Sequence, residues 1–343
     1  MGTRIEIIEV DNQAEWSKKL AEISFCDFYH SLSYNSYHSS IGEKPILYFF
    51  KQDNYSILFP LIIREIGLSH YKDVTSVYGY AGPIASHTNI PTDVLTSFSD
   101  SISNFFQEKS IVSAFSRLHP SFKNESLISG IGEILPLSET VYIDLTIPLD
   151  EQKSRYRKGV KSDLSKLNRG EYYVFEDTEK KYISEFIEIY NENMVRVGAR
   201  PDYFFDSTYY DMIFNSKDIN SKLYFVVKDN VKIAASIFVF SGNIIQYHLS
   251  GTRGDYLKNS PVRLIIDHVR VFGTENGYKE LHLGGGVGSS EDSLFKFKAG
   301  FSDCRHQFKV WRYIVNPDVY NQLVQEHNPH PNSTYFPLYR APK

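Results

Sequence analysis

The stretch from Lys279 to Phe301 reads KELHLGGGVGSSEDSLFKFKAGF. It opens on Leu281-His282-Leu283, an alternation typical of a strand, and then passes through a turn rich in glycine. A short helix follows, which carries Lys298 and ends at Gly300. In a strand, glycine turn and helix of this kind, backbone N–H groups can approach a ligand closely, because the turn has no side chains in the way.

This ending, in the pieces HLGGG and DSLFKFKAGFS, resembles the end of the Fem-type peptidoglycan-bridge aminoacyltransferases and their FemAB-like relatives. Three more stretches resemble the polysaccharide-cluster branch of that superfamily and fall in the expected order: YGYAGP at 78–83, YRKGV at 156–160 and HLSGT at 248–252. The resemblance implies an α/β fold of two tandem GNAT-like domains, each with the acyl-CoA N-acyltransferase fold and a mixed central sheet. It places an N-terminal domain at 1–149, a C-terminal domain with the catalytic motifs at 150–315, and a C-terminal helix and tail at 316–343.

The hydrophobic pattern along the chain agrees with a duplicated α/β fold. Helices are predicted in both halves, at 14–23, 91–108, 179–194, 207–214 and 261–272. Strands are predicted between them, at 45–50, 55–65, 222–228, 231–240 and 244–250. Residues 140–144 are predicted to close the first half, and residues 308–315 to form the final strand of the second. No residue-level repeat is visible, so the duplication is a prediction of topology that rests on the resemblance.

Composition narrows the function classes. A formal net charge of −4 over 343 residues argues against a generally basic nucleic-acid-binding protein, so any tRNA or phosphate site must be local and no DNA partner is expected. Cys26 and Cys304 are too few for a disulfide framework and fit a reducing compartment. No apolar run approaches the roughly 18 residues of a membrane span. We therefore predict a cytoplasmic protein, which would make peripheral contact with the inner face of the membrane if its acceptor is lipid-linked.

Lys298 is the first candidate for chemistry. It follows Phe297 at the position of the functional lysine in the Fem-type pattern, whereas Lys296, about 200° away around a helix, cannot share its face. The resemblance implies that Lys298 is a fixed cation beside the acyl carbonyl or a phosphate, where it stabilises the negative charge that develops as an amine attacks. Without the resemblance, a solvated helix lysine would be the simpler interpretation. The substrate-binding part of this stretch is predicted to comprise Phe297, Gly284, Gly285 and Gly286.

His248 is the second catalytic candidate. Its strand alternates, so His248 is predicted to face the same side as Gln246 and the proposed binding residue Ser250. A histidine there can hydrogen-bond the substrate or accept a proton from the attacking amine, and a structural histidine is an equally good interpretation. His282, between two leucines, is predicted to be a hydrogen-bonded wall residue. Asp292 is predicted to cap the short lysine helix.

A basic helix is predicted at the domain junction, around an apolar stripe formed by Tyr156, Val160, Leu164 and Leu167. Three interpretations of its charges stay open: exposed charge, phosphate binding and contact with the tRNA backbone. The resemblance places the phosphates of a nucleotide- or lipid-linked acceptor near basic residues between the two domains, which favours phosphate binding. Arg157 and Lys161, four residues apart on one face, are the predicted phosphate ligands.

Two further stretches are predicted to contact substrate. Tyr78 and Tyr80 flank a glycine in an irregular segment, which suits the wall of a glycan or peptide site and suits a structural turn equally well. The segment 193–205 resembles the substrate-facing loop of the family and contributes Arg196 and Tyr203. Without the resemblance, this segment would be interpreted as the end of a helix.

The absence of one motif helps to identify the acyl donor. GNAT enzymes that use acetyl-CoA hold its pyrophosphate with Gln/Arg-x-x-Gly-x-Gly/Ala between the fourth strand and the next helix. The corresponding residues here, 250–259, read SGTRGDYLKN, and Asp255 is an unfavourable neighbour for a pyrophosphate. Aminoacyl-tRNA is therefore the favoured donor and acyl-CoA the alternative, with no tightly bound cofactor and no metal expected.

Together these observations predict an N-acyltransferase, which moves an acyl or aminoacyl group to an amine of a cell-envelope precursor. The acceptor is expected to be a peptidoglycan peptide or an amino sugar of a surface polysaccharide, carried on a nucleotide or a lipid. The first alternative is an acyl-CoA-dependent GNAT acetyltransferase that acts on a sugar. The second is a non-catalytic protein that binds envelope glycans, because a fold does not fix a function.

Overall fold

The computed structural model describes residues 2–23, 25–37 and 43–342. The chain packs as two compact units, a first unit of Met1–Leu137 with Gln307–Lys343 and a second unit of Ser138–His306. The predicted domain limits at 149/150 and 315/316 remain a prediction, whereas packing divides the chain at 137/138 and 306/307. Within the described residues, no helix is long and apolar enough to cross a membrane.

The first unit is built on a mixed sheet with helices on both faces. Its elements are, in chain order, β1 (Arg4–Glu9), α1 (Gln13–Leu20), α2 (Leu32–Tyr37), β2 (Lys44–Gln52), β3 (Tyr55–Glu65), β4 (Lys72–Thr75), β5 (Ile84–Ala85), α3 (Thr92–Glu108) and β6 (Ile111–Arg117). The strands lie in the order β1-β2-β3-β4-β6, with β5 beside β3. β4 and β6 are parallel, and the other neighbouring pairs are antiparallel.

Both faces of β2 are buried, which explains why its sequence is continuously apolar rather than alternating. On one face Tyr48 packs against Phe98 of α3, with ring centroids 6.1 Å apart. On the other face Phe49 belongs to the cluster of Trp16, from α1. Alternation along one strand therefore positions a helix on each side of the sheet. The predicted helix at 91–108 is confirmed as α3.

The second unit has the same kind of sheet. The elements from its entering strand to its leaving strand are β7 (Glu133–Asp144), α4 (Leu149–Ser154), α5 (Lys158–Arg169), β8 (Tyr173–Glu176), α6 (Ile183–Arg196), α7 (Ser207–Asn215), β9 (Ser221–Lys228), β10 (Val231–Ser241), β11 (Ile244–Thr252), α8 (Val262–Glu275), β12 (Glu280–Gly284), α9 (Ser293–Lys298) and β13 (Arg305–Ile314). The strand order is β7-β12-β11-β10-β9-β8. β11 and β12 are parallel, and the other neighbouring pairs are antiparallel.

The two units repeat one order of elements: a strand, two helices, three strands, a helix and a strand. The series is β1-α1-α2-β2-β3-β4-α3-β6 in the first unit, apart from the short β5, and β8-α6-α7-β9-β10-β11-α8-β12 in the second. In both, the last two strands of the series are the parallel pair. The predicted duplication of topology is therefore present.

The closing strands differ from the prediction. Residues 141–144, at the end of β7, pair antiparallel with β12 in the second unit instead of closing the first half. Residues 310–314, at the end of β13, pair antiparallel with β6 in the first unit. A sequence pattern identifies a strand but not its partner, because the partner is distant in the chain.

The predicted C-terminal helix is α10 (Pro317–His327). The tail beyond it is attached to the first unit through Asp73 of β4, whose carboxylate is fully buried. Asp73 accepts hydrogen bonds from Arg64 Nε at 2.7 Å, from Tyr339 Oη at 3.2 Å and from Arg340 Nε. Two cations therefore balance one buried charge, and one of them belongs to the tail.

Candidate active site

The candidate site lies where β11 and β12 of the second unit separate. Among the described residues the parallel ladder ends at Gln246 opposite His282. Beyond this point His248 is the extra residue of a bulge in β11, and the register of β12 shifts between His282 and Gly284. His248 and Gly284 therefore stand at the opening between two diverging strands, a place where ligands commonly bind in α/β sheets.

The turn that leaves β12 needs its glycines. Gly284 has φ of +80°, a backbone conformation that other residues rarely adopt. A Cβ atom added at Gly286 would lie 2.0 Å from the carbonyl oxygen of Ser290 and 2.5 Å from Oδ1 of Asp292. At Gly285 an added Cβ would lie 3.2 Å from the carbonyl oxygen of Glu139. The turn can therefore wrap tightly against the residues that begin α9.

Lys298, on α9, points towards this turn. The residue is 8% exposed, and its Nζ donates a hydrogen bond of 2.7 Å to the carbonyl oxygen of Gly285. Within the described part of the chain this is the hydrogen bond that the ammonium group makes, so two of its three N–H donors can bind a ligand. Burial lowers the pKa of Lys298 from 10.5 to about 8, and the nearby negative charge of Asp292 opposes part of this shift. Lys296 is exposed, which agrees with the choice of Lys298 over Lys296.

Asp292 joins the glycine turn to the helix. Its Oδ1 accepts a hydrogen bond from the N–H of Phe295 at 2.8 Å, and its Oδ2 accepts one from the N–H of Val287 at 3.2 Å. Asp292 is therefore the N-cap of α9, as predicted. One carboxylate thus fixes both the segment that supplies the Gly285 carbonyl and the helix that carries Lys298.

The ring of His248 is held by a hydrogen bond from a helix of the second unit. Its Nε2 is hydrogen-bonded to the hydroxyl group of Tyr209, on α7. Gln246, two residues earlier, bonds His282 instead: the distance between Gln246 Oε1 and His282 Nδ1 is 2.8 Å. His282 is buried and hydrogen-bonded, as predicted. His248 is partly exposed, so its ring lies between Tyr209 and the opening of the strands.

The prediction that Ser250 faces the same side as His248 is wrong. The Ser250 hydroxyl accepts a hydrogen bond from the hydroxyl of Tyr247, which packs against the core of the unit. In register, Ser250 lies opposite Ser236 of β10. The bulge at His248 adds one residue to β11 and therefore turns every later side chain to the other face.

A row of aromatic rings leads to His248, and sequence reasoning missed it. Tyr209 stacks on Phe205, with centroids 3.9 Å apart and planes at 17°. Phe205 lies 6.1 Å from Tyr190, whose hydroxyl donates a 2.9 Å hydrogen bond to the carbonyl of Tyr203. Tyr203 therefore contacts this row of rings through its backbone carbonyl. Arg196, the other residue predicted from this segment, is exposed near the end of α6. The spacing of Phe205 and Tyr209, four residues apart at a helix start, was the available signal.

The basic helix is present as α5, and three residues of its predicted apolar stripe, Val160, Leu164 and Leu167, lie on it and are buried in the core. Tyr156 is buried in the same core, but it lies in the break between α4 and α5 and not on the helix. Arg157, at the N-terminal end of α5, donates its backbone N–H to the carbonyl of Gly300 at 2.9 Å. The start of α5 is therefore attached two residues beyond Lys298. Lys161 donates from Nζ to the carbonyl of Ser154 at 2.6 Å, which satisfies the last turn of α4.

Three more predicted binding residues, one in the second unit and two in the first, pack against neighbouring side chains. Phe297 is partly buried and packs edge-on to Phe301, with centroids 5.6 Å apart, at the border of the core. Tyr78 and Tyr80 belong to the first unit. Tyr78 is 53% exposed, with the guanidinium carbon of Arg117 5.1 Å from its ring centroid. Tyr80 is half-buried and packs edge-on to Phe308 at 5.3 Å.

The turn after β11 is the position at which a CoA-binding GNAT domain holds pyrophosphate. Here the N–H of Gly254 donates a 2.6 Å hydrogen bond to Oε1 of Glu192, on α6. Arg253 extends one guanidinium nitrogen to 3.7 Å from Glu192 Oε2 and another to 3.8 Å from Glu188 Oε2. The donors of this turn are therefore engaged by carboxylates of the protein, which does not fit an incoming pyrophosphate.

No protein-family model and no curated protein matches the sequence. The fold, in contrast, is similar to that of solved structures. FemX superposes with a TM-score of 0.72 over 94% of this chain and 99% of its own, at 11% identity. The C-terminal domain of a protein described as a lysylphosphatidylglycerol synthetase, from Agrobacterium fabrum, gives 0.57 over 93% and 96%, at 13% identity. A conserved protein of unknown function from Bacteroides thetaiotaomicron gives 0.56 over 91% and 99%, at 10% identity.

At these identities the likeness concerns the fold. FemX covers both units, and each unit has the mixed sheet and the order of elements described above. The chain therefore has the fold of FemX, an α/β fold of two tandem GNAT-like units, and the resemblance to the FemAB-like proteins that its sequence predicts is confirmed at the level of the fold.

Proposed function

We propose that the chain is an N-acyltransferase of FemAB-like type, which couples an amine of a cell-envelope precursor to an activated acyl or aminoacyl group. The observation that carries the proposal is the buried ammonium group of Lys298, anchored to Gly285 where β11 and β12 separate. Burying a cation beside a neutral partner costs free energy, and groups of this kind are concentrated in functional sites. The fold of FemX supports the same reaction class.

Lys298 would act on the charge that develops during attack. The amine nitrogen attacks the acyl carbonyl carbon, a C–N bond forms, and the carbonyl oxygen becomes an oxyanion. An N–H group of Lys298 donates to that oxygen, and its attraction is stronger in a buried site than in water. Because the Gly285 carbonyl already holds the ammonium group in place, little reorganisation is needed. The bond from the acyl carbon to the leaving group then breaks.

His248 would handle the proton. The attacking amine must lose a proton, and the leaving group must gain one. His248, oriented by Tyr209, stands at the opening of the strands and can accept the first and supply the second. Tyr209 is a positioning residue in this scheme, because it acts through the histidine ring.

The acceptor would be a nucleotide- or lipid-linked sugar or peptide, met in the cytoplasm or at the inner face of the membrane. Arg157 and Lys161 are proposed to bind its phosphates at the start of α5, where backbone N–H groups and the helix dipole also favour an anion. The backbone hydrogen bond from Arg157 to the carbonyl of Gly300 attaches this position to the residues just after α9, two residues beyond Lys298. Arg196 and Tyr203 are proposed as further acceptor contacts in the second unit, where the glycine turn, Gly284, Gly285 and Gly286, would admit the reacting groups. Tyr78 and Tyr80, in the first unit, stay predicted glycan or peptide contacts.

A transfer assay tests the proposal. The protein is incubated with labelled aminoacyl-tRNA or with labelled acetyl-CoA, together with a panel of amines that includes peptidoglycan precursors and nucleotide-linked amino sugars. Label in the acceptor that is lost after RNase treatment of the donor supports aminoacyl transfer. Release of free CoA supports the acyl-CoA alternative. Tight binding of a glycan with no transfer from either donor would contradict an enzyme and support a binding protein.

A further inference from the structure

The carboxylate of Glu192 occupies the anion position of the turn that follows β11. One of its oxygens accepts the backbone N–H of Gly254 at 2.6 Å, and the other lies 3.7 Å from the guanidinium group of Arg253. A backbone N–H and an arginine are the two kinds of donor that a phosphate group uses at such a turn. The protein therefore supplies its own anion at the place where a pyrophosphate would enter.

The packing of α6 on β11 fixes Glu192 there. Gly251 of β11 lies so close to α6 that an added Cβ would be 2.7 Å from the carbonyl oxygen of Ile189. Glu192 comes three residues after Ile189, about one helical turn, and Gly254 comes three residues after Gly251. The close approach at Gly251 thus brings the next turn of the helix onto the next residues of the chain. The side chain of Glu192 is 43% exposed, and its carboxylate is held at the surface by Gly254 and Arg253.

Two further backbone donors of the turn form hydrogen bonds within it. The N–H of Tyr256 bonds the carbonyl of Arg253 at 3.0 Å, and the N–H of Ser260 bonds the carbonyl of Leu257 at 3.0 Å. Pro261, at the start of α8, has no N–H to offer. A pyrophosphate that used Gly254 and Arg253 would therefore have to displace Glu192.

We infer that Glu192 determines the class of acyl donor: it closes the pyrophosphate position of the second unit, so the enzyme takes a donor that places no phosphate at this turn. An aminoacyl ester at the end of an RNA contains no pyrophosphate, whereas an acyl-CoA does. The inference rests on the proposed acyl transfer and adds to it the residue that selects the donor. The same contacts predict that removing the carboxylate opens the turn to phosphate.

Calorimetric titration of the full chain with coenzyme A, and separately with inorganic pyrophosphate, tests the inference. Wild type is expected to bind neither with a Kd below about 1 mM. Glu192→Ala frees the N–H of Gly254 and the guanidinium of Arg253, and it should bind coenzyme A at least about tenfold more tightly. Glu192→Gln keeps the size of the side chain and removes its charge, so its affinity for coenzyme A should rise by a smaller factor. It takes the place of Glu192→Ala in the test if the alanine substitution disturbs α6.

Glu188→Ala is the matched control. Glu188 faces the same arginine at 3.8 Å, but it has no hydrogen bond to Gly254, so its removal should leave the affinity within about twofold of wild type. Micromolar binding of coenzyme A by wild type would overturn the inference. So would affinities that are equal in folded Glu192→Ala, Glu192→Gln and Glu188→Ala proteins.

A transfer assay on the same preparations separates the two proposals. If wild type transfers label from acetyl-CoA, the role of Glu192 is refuted while acyl transfer stands. If wild type transfers from neither acetyl-CoA nor aminoacyl-tRNA to any acceptor, the proposed function fails whatever the calorimetry shows.

Discussion

The Nζ atom of Lys298 lies 2.7 Å from the carbonyl oxygen of Gly285, so a charged side chain of α9 is anchored to the backbone of the glycine turn. The carbonyl is a neutral partner and does not cancel the charge. The positive charge therefore stays available to a ligand, and it also stays costly to bury. Both consequences can be measured.

Replacing Lys298 with methionine should lower the rate of transfer by about 100-fold or more, the usual loss when a donor to an oxyanion is removed. In wild type, kcat corrected for the free-base fraction of the acceptor amine should fall as the pH rises through about 8, where Lys298 loses its proton. Lys296→Met changes an exposed lysine on the same helix and should have little effect. Equal rates for the two variants would contradict the role of Lys298.

The same methionine variant should gain stability at neutral pH. The pKa of Lys298 is about 8 in the folded protein, below its ordinary value of 10.5, so the unfolded chain holds this proton more tightly. The buried charge therefore lowers the free energy of unfolding below pH 8, by about 3 kcal/mol, and this loss disappears as the pH rises from 8 to 10.5.

Urea unfolding at several pH values measures this effect. Lys298→Met should be at least as stable as wild type at pH 7. By pH 10, the free energy of unfolding of wild type should have risen relative to that of the variant. A methionine variant that is less stable than Lys296→Met at pH 7 would show that the ammonium group is not buried at a cost.

Gly286→Ala should destabilise the second unit by about 2–4 kcal/mol, because the new methyl group would overlap the Ser290 carbonyl and the Asp292 carboxylate. Gly288→Ala is the control within the same turn. Its φ is +60°, and an added Cβ there meets no described atom within 4 Å, so the cost should be about 1 kcal/mol. Thermal unfolding distinguishes the two, and similar melting temperatures would contradict the tight wrap of the turn.

Tyr209→Phe removes the hydroxyl that orients His248 and keeps the ring that stacks on Phe205. The expected result is a fall in kcat of about tenfold or more with KM little changed, and an altered pH profile of kcat. Tyr210→Phe, on the next residue of the same helix, is the control, because the ring of Tyr210 packs against Phe186. If both variants keep the pH profile of wild type, Tyr209 has no role in proton transfer.

Much of the local structure could be predicted from sequence. The apolar spacing of Val160, Leu164 and Leu167 is a buried face of α5, and Asp292 is the cap that its position suggests. The choice of Lys298 over Lys296 came from the family resemblance, since two lysines on one short helix are equivalent by composition alone.

What the sequence did not reveal depends on contacts between distant residues. The face of Ser250 depends on a bulge at His248, and a period of two residues cannot anticipate an added residue. In the sequence, Glu192 is one acidic residue among several on a predicted helix. It lies against the turn after β11 because α6 approaches Gly251 closely. The bond between Tyr209 and His248 joins residues 39 positions apart.

The strands β7 and β13 have a practical consequence for dividing the chain. A fragment that stops at 149 loses residues 310–314 and exposes an edge of β6, where another chain could add. The stretch 138–306, in contrast, keeps β8 to β12 whole, together with residues 141–144 of β7, which pair with β12. Expression of this protein in pieces should therefore start from 138–306 as a continuous insert, with the two flanking stretches joined to each other as a single host domain.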